Sequence, residues 1–351
     1  MNPLSIGIVG AGAIGRMHAE VIAGSGFATV AGVADPTEAG RQFCRERGLA
    51  WYPDHGALLD AGGIEALIVA TPNQTHLDIG LAAIDRGLPS LIEKPVAVTV
   101  AEGEALAAAA ASAGVPVLVG HHRRHNPVIA KAREMVRGGA LGRLTNATVL
   151  YTFYKHDAYF DLAWRREPGG GPVLINLIHE IDLIRFVCGE VAAVQAVTSG
   201  KVRGLPVEDT AAVLLELENG GLVTISLSDT AVTPWSWDLA SGELPNYPPQ
   251  AKPVNSHFIS GTEGSLALPS LEHWRYDGEK SWFAGLTHAV LPVEPESPYR
   301  RQLRHLLDVT RNGVRPLIDA ADATRTLTVT LAVQEAARQD RKSTRLNSSH
   351  T

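Results

Sequence analysis

The 351-residue chain holds only two cysteines, Cys44 and Cys188. Two thiols without metal-ligand spacing exclude a disulfide framework and a cysteine-bound zinc cluster. Long apolar runs are also missing: no stretch reaches the ~18 residues needed to span a bilayer. No basic segment leading into an apolar one precedes the first strand, which begins by Leu4, so no secretory leader is expected. Positive charge is in deficit too. The formal net charge of −6 gives no purchase on nucleic acid or an anionic membrane. Together these absences predict a cytoplasmic protein whose partners are neither nucleic acid nor membrane. What is present, 45% hydrophobic and 19% charged residues, is ordinary for a globular chain. The length exceeds the ~250–300 residues at which single cores stop growing, so two domains are expected. No internal repeat is visible.

The stretch from Gly7 to Arg16 organises the rest. Ile6, Ile8 and Val9 form a short apolar run that reads as a strand buried on both faces. Gly10, Gly12 and Gly15 follow in G-x-G-x-x-G spacing, with Ala13 and Ile14 between them and helical character beyond. Gly10 serves the tight turn, Gly12 the close approach of a pyrophosphate, and Gly15 helix–strand packing. The helix start presents N–H groups and a positive dipole end to phosphate. A second apolar run, Thr29 to Ala34, ends in Asp35, twenty positions after Gly15, where a carboxylate holds the adenosine ribose. An ordinary glycine turn is the alternative reading.

Strand and helix patterns then alternate: a helix over Glu38–Arg47, a strand over Ile64–Ala70 closed by Thr71-Pro72-Asn73, and a helix over Gln74–Arg86. A strand over Leu88–Ile92 runs into Glu93-Lys94-Pro95; a helix over Ala101–Ala113 and a strand over Val115–Val119 follow. This βαβ alternation predicts a doubly wound parallel sheet with ligands at the carboxyl ends of its strands. The pattern changes near His121. After a helix over Pro127–Arg137, strands dominate: Thr145–Phe153, Ala192–Thr198, Ala211–Glu218, Leu222–Ser228, His257–Ser260, Ser265–Leu268 and His273–Tyr276. Asn219-Gly220 marks a hairpin. One helix, near Asn176–Val187, interrupts them; Leu239–Pro253 reads as a long loop, and Tyr299–Val309 and Ala320–Arg338 as closing helices.

Taken together, Gly10–Gly15, Ala70-Thr71-Pro72-Asn73, His76, Glu93-Lys94-Pro95 and Gly264 resemble the Gfo/Idh/MocA oxidoreductases, the glucose-fructose oxidoreductase and inositol dehydrogenase family, from Ile6 to Arg338. The resemblance implies an α/β protein with a Rossmann domain over residues 1–122 and a substrate-binding α+β domain with a large, mostly antiparallel open sheet over 123–341, whose final helices can return to the first domain. It also implies NAD(P)-dependent chemistry on sugars and cyclic polyols, and a homodimer or homotetramer built through the open sheet. Cofactor contacts are expected at Gly10, Gly12, Ala13, Ile14, Gly15, Asp35, Thr71, Pro72, Asn73, His76, Glu93, Lys94 and His122. Residues 342–351 are polar and without period, and are set aside as an appended segment or a natural disordered terminus.

Lys94, at a strand end before a proline that stiffens the turn, suits a cation that stabilises a developing alkoxide; a surface pair with Glu93 is the plainer alternative. The stretch from Gly169-Gly170-Gly171 to Asp182 matches the family helix that carries the catalytic histidine, His179. Leu177, Ile178, Ile181 and Ile184 define one apolar face, with His179 nearly opposite; an exposed histidine paired with Asp182 is the other reading. The family pattern places an aspartate four residues earlier, where this chain has Ile175, so Asn176 or Asp182 is left to fix substrate or ring. Arg123, Arg124, His125, Tyr154, Lys155, Tyr159, Trp164, Arg165 and Asn176 are candidate pocket residues. Trp235 and Trp237 either stack on a sugar or belong to the core. His121, His122 and His125 lack a carboxylate or cysteine at ligand spacing, so no metal is expected. Asp35, with no arginine in Pro36-Thr37, predicts NAD over NADP. The leading reading is an NAD-dependent dehydrogenase of a sugar, inositol or related cyclic polyol. A C=N or enone reductase and a non-catalytic NAD-sensing regulator are the alternatives.

Overall fold

Every residue of strand β1 (Leu4–Val9) except Ser5 is buried, as its unbroken apolar run requires. The computed structural model describes residues 2–243, 247–339 and 344–345. It forms two compact units, Met1–His125 with Glu296–Leu327, and Asn126–Pro295 with Thr328–Thr351. The first break thus falls after His125 rather than residue 122, and a C-terminal segment joins the first unit.

In the first unit β1 is followed by α1 (Ala13–Ala23), β2 (Ala28–Ala34), α2 (Glu38–Arg47), β3 (Trp51–Tyr52), α3 (His55–Ala61), β4 (Ala66–Val69), α4 (His76–Ile84), β5 (Ser90–Ile92), α5 (Val100–Ala113) and β6 (Val117–Val119). The strand order β3-β2-β1-β4-β5-β6, all parallel, is the dinucleotide-binding arrangement, and its order reverses between β1 and β4. Local signals set the boundaries. Thr37 caps α2 by accepting from Gly40 N–H, and Gly48 ends it at φ 64°. Thr99 and Glu102 form a capping box on α5.

The second unit begins with α6 (Pro127–Arg137), capped by Asn126, and continues with β7 (Leu144–Thr152), α7 (Ile178–Val187), β8 (Val191–Ser199), β9 (Thr210–Leu217), β10 (Leu222–Ser228), α8 (Trp237–Ala240), β11 (His257–Gly261), β12 (Ser265–Leu268), β13 (Glu272–Arg275) and β14 (Thr287–Val290). Its sheet runs β14-β13-β12-β11-β7-β10-β9-β8, antiparallel except for the β10–β7 pair. Inward residues of β9 and β10 such as Val213, Leu215, Val223 and Ile225 are buried. On the other face Val197, Leu222 and Phe258 are exposed. Part of the long loop, 244–246, lies outside the described residues.

Two helices close the chain. In the first unit α9 (Pro298–Asn312) lends Leu303, Leu306 and Val309 to the core shared with α1 and β1, and Arg300 donates to the Gly24 and Ser25 carbonyls at the end of α1. The helix α10 (Ala320–Arg338) follows. In the terminal stretch set aside from the sequence, Thr344–Arg345 forms a two-residue strand, β15, antiparallel to β8; its other residues lie outside the described ones. No described helix is long and apolar enough to cross a membrane.

Candidate active site

The glycine loop leaves β1 through Gly10 at φ 97°, and a side chain at Gly15 would lie 1.9 Å from the Gly10 carbonyl. That contact forces a bare backbone where α1 crosses the loop. Gly12 differs, because a Cβ there would meet no protein atom within 4 Å. The helix start is capped by no side chain and carries no acid in its first turn. Gly12, Ala13 and Ile14 are exposed. Open space over N–H groups that lack helical acceptors is what a pyrophosphate requires. Asp35 follows β2, with Oδ2 accepting from Ala11 N–H at 2.7 Å and Oδ1 from Thr37 N–H at 2.9 Å. It thereby ties the glycine loop to the start of α2, where a ribose would lie. These residues fit a dinucleotide.

Around the ends of β4, β5 and β6 the other predicted cofactor residues fall into a connected set. His76 is fully buried; its Nδ1 lies 2.9 Å from the Pro95 carbonyl and its Nε2 3.0 Å from the Thr71 carbonyl. It joins the strand-end segments that carry Thr71-Pro72-Asn73 and Lys94. Burial holds the ring below its ordinary pKa, against the pull of the two carbonyls and Glu93. Glu93 accepts from His18 Nε2 at 2.8 Å. Burial works against its charge, but that bond and the fields of His18, His122 and Lys94 outweigh it and keep the carboxyl low. Gly120 makes room, since a Cβ there would come within 2.6 Å of Glu93 Oε2. His122 stacks on Tyr299 of α9 at 4.4 Å. Lys94 is half-buried, and its backbone N–H donates to Glu93 Oε2 at 3.3 Å.

The segment after His122 faces inward. Arg123, Arg124 and His125 are all buried, and Arg124 donates to Asp322 Oδ2 at 2.5 Å and to the Leu317 carbonyl. The His125 ring lies 5.3 Å from His305, whose Nε2 accepts from Leu317 N–H at 2.8 Å. The structure thus places Arg124 and His125 in a knot that joins this segment to residues 305–322. Burial, with the fields of His305 and neighbouring cations, pushes His125 down to about 3. Unfolded histidine titrates near 6.5, so the unfolded chain binds the extra proton first as pH falls. This contribution is complete above pH 6.5 and is lost progressively down to about 3. Its slope is about 1.4 kcal/mol per pH unit. Urea midpoints measured from pH 7 to 4.5 are expected to fall steeply, and His125→Leu is expected to flatten the fall. Equal slopes in the two proteins would show that His125 does not titrate this way.

In the second unit the helix expected to have one apolar face is buried nearly all round. Of the ten residues of α7, only His179 is not buried. Glu180 meets His257 Nε2 at 2.7 Å, and Arg185 is bidentate on Glu190 at 2.8 and 2.9 Å. Arg133 of α6 lies over Phe186 at 4.1 Å. The helix is therefore fixed on its other sides, and the histidine is its one residue that is not buried. Ahead of it Val173–Leu177 is a π-helical turn, a feature that marks functional sites more often than chance. Glu208 Oε1 accepts from Val173 N–H at 3.0 Å at the start of that turn, in space left by Gly171, where a Cβ would come within 2.3 Å of the carboxylate.

Asn176, within the turn, accepts from Lys155 Nζ at 2.7 Å and donates to Tyr151 Oη at 3.0 Å. Arg165 lies 3.8 Å and Lys155 4.7 Å from the Tyr159 ring centroid, and Trp164 is half-exposed. Tyr154, adjacent to Lys155, leads elsewhere: it bonds Asp157 and lines a cavity of about 440 Å³ with Phe160, Arg166 and Arg203. Trp237 is core, its Nε1 donating to Glu243, whereas Trp235 is half-exposed. Among the described residues no group of three or more His, Cys, Asp or Glu could hold a metal ion.

Comparison with known families decides what this assembly is. Residues 4–121 match the oxidoreductase family with an NAD-binding Rossmann fold, and residues 129–267 match the GFO/IDH/MocA C-terminal domain. The chain belongs to the Gfo/Idh/MocA oxidoreductase family. It is 28% identical over 346 residues to the rhizopine catabolism protein MocA of Rhizobium meliloti, covering 97% of each. It is 26% identical over 344 residues to scyllo-inositol 2-dehydrogenase (NAD(+)) of Bacillus subtilis (strain 168), covering 94% of this chain and 93% of the relative. In structure it resembles an oxidoreductase domain protein from Kribbella flavida, with TM-score 0.81, 23% identity and 99% and 100% coverage; this likeness shows the fold.

Against the Gfo/Idh/MocA pattern, the positions that sequence reasoning missed are His18, Tyr151, Arg203, Glu208 and Asp229. Each acts across a long separation: His18 on Glu93, Tyr151 on Asn176, Glu208 on Val173, and Asp229 on both Lys155 and Arg203. No local spacing announces such partners.

Proposed function

We propose that this Gfo/Idh/MocA oxidoreductase is an NAD-dependent dehydrogenase that oxidises a secondary hydroxyl of a sugar, inositol or related cyclic polyol. The observation that carries the reaction is His179, the only residue of α7 that is not buried. A neutral imidazole there takes the hydroxyl proton, and Lys94 stabilises the developing alkoxide. Bound NAD supplies the hydride acceptor. Gly12 and the uncapped start of α1 hold its pyrophosphate, and Asp35 its ribose. Relatives named for scyllo-inositol, levoglucosan and D-apiose support the substrate class. The two buried cysteines suit a reducing cytoplasm. The test is an NADH absorbance assay of purified protein with NAD and a panel of sugars, inositols and dihydrodiols. Turnover of a cyclic polyol is expected. No oxidation of any member, with reduction of an imine or enone by NADH instead, would replace this reading.

NAD is the preferred cofactor in this proposal. Asp35 would face a 2′-phosphate, and Arg16, the arginine of the glycine loop, donates to the Ala11 and Ala39 carbonyls. Two like charges ~4 Å apart at an effective dielectric near 20 repel by about 4 kcal/mol as an upper scale. kcat/KM is expected to be higher with NAD, and Asp35→Ala to narrow the gap; equal kinetics with NADP in the unaltered protein would refute the preference.

We also propose a homodimer or homotetramer formed through the exposed sheet face that carries Val197, Leu222 and Phe258. Sedimentation velocity is expected to show an assembly that Phe258→Glu weakens; a monomer at micromolar concentration would remove the proposal.

A further inference from the structure

A π-helical turn holds an extra residue, and it survives only where its surroundings favour it over an ordinary α turn. Each helical residue adds ~100° of rotation. If the turn over Val173–Leu177 relaxed to α geometry, the residues on its two sides would rotate by about that amount relative to each other. His179 lies two residues beyond Leu177, so its direction depends on what holds the turn.

The turn is gripped through Asn176. Lys155 Nζ donates to Asn176 Oδ1 at 2.7 Å, and Asn176 Nδ2 donates to Tyr151 Oη at 3.0 Å, whose hydroxyl donates to Asp238. An ammonium has no acceptor, so only one orientation of the Asn176 amide satisfies this chain. The two partners of Asn176 come from β7 and the residues just after it, a rigid base. Lys155 is only 6% exposed. Its ammonium lies 3.3 Å from Asp229 Oδ2, and Asp229 also pairs with Arg203 Nε at 3.3 Å. Asp229 therefore has a second cation, and Lys155 is the group that reaches the turn.

We propose that Lys155 is a positioning residue: by donating to Asn176 Oδ1 it holds the π-helical turn and so sets the direction in which α7 presents His179. The catalytic part of this proposal rests on the role given to His179 above; the grip on the turn does not.

A double-mutant cycle of Lys155→Met and Asn176→Leu tests it, read by amide hydrogen exchange over residues 173–178 and by the pH dependence of kcat. Lys155→Met alone is expected to speed exchange across the turn at least tenfold and to lower kcat on the order of 10²-fold, the scale of an ångström misplacement. NAD affinity is expected to hold. In the Asn176→Leu background the same substitution is expected to change neither quantity further. Additive losses would overturn the proposal, as would unchanged exchange in Lys155→Met. A pH midpoint shifted equally by Lys155→Met in both backgrounds would also overturn it, because charge rather than position would then be acting on His179. Should Lys155→Met fail to fold, Tyr151→Phe releases the amide without removing a charge. It is expected to speed exchange in the same segment, and normal exchange there would refute the grip. If the unaltered protein oxidises no alcohol, the function reading fails and the exchange data alone decide this one.

Discussion

Replacing His179 with alanine is expected to lower kcat for alcohol oxidation by ~10²–10⁴-fold, the usual loss when a general base is removed. NAD affinity should hold, because the glycine loop and Asp35 that would bind it belong to the first unit and His179 to the second. The oxidation rate of the unaltered enzyme should rise with pH through the histidine range and then level off, since only the neutral imidazole accepts a proton. Ile175 makes this profile informative. It stands four residues before His179, where the family pattern has an aspartate, and its side chain can neither accept a hydrogen bond nor stabilise an imidazolium. Ile175→Asp is expected to raise the histidine pKa, so that the rising limb moves to higher pH. Full activity of His179→Ala from pH 6 to 9 would place the base elsewhere.

Elements bounded by their own caps were legible in the sequence. Thr37 and Gly48 frame α2, Asn126 and Pro127 open α6, and Asn219-Gly220 turns β9 into β10, each through bonds between near neighbours. The short strand β3 and helix α3 went unread because Trp51–Tyr52 is too brief to show a period. Strand β14 is exposed at all four residues, so it carries no buried face to betray it. The glycine loop was readable from its spacing alone, although only Gly15 answers to backbone close by, at Gly10, while a side chain at Gly10 would meet the distant Ala70 carbonyl. The histidine site was readable only in part. His179 stood out, but its helix was expected to show solvent on one side, and Glu180 and Arg185 are in fact buried through partners at positions 257 and 190. The π-helical turn has no propensity signature, since the side chains that hold it come from Lys155, Tyr151 and Glu208.

Replacing Lys94 with alanine is expected to lower kcat and kcat/KM together by ~10²–10³-fold, the scale for removing one preorganised group from a developing oxyanion. Equal loss in both constants is the mark of an interaction made in the transition state rather than in the ground state. The position supports that role. Lys94 stands two residues past the end of β5, and Glu93 between them is anchored to His18 at 2.8 Å, so the backbone that carries the lysine is fixed to α1. The Glu93 carboxylate accepts from His18 and from the Lys94 N–H. Lys94→Arg should restore little, because a planar guanidinium cannot occupy the place of a compact ammonium on a shorter reach. The arginine variant also separates chemistry from structure. If alanine loses activity while arginine keeps nearly all of it, a diffuse positive charge suffices and the alkoxide contact is not made by a placed N–H. Turnover near that of the unaltered enzyme in Lys94→Ala would make the residue structural.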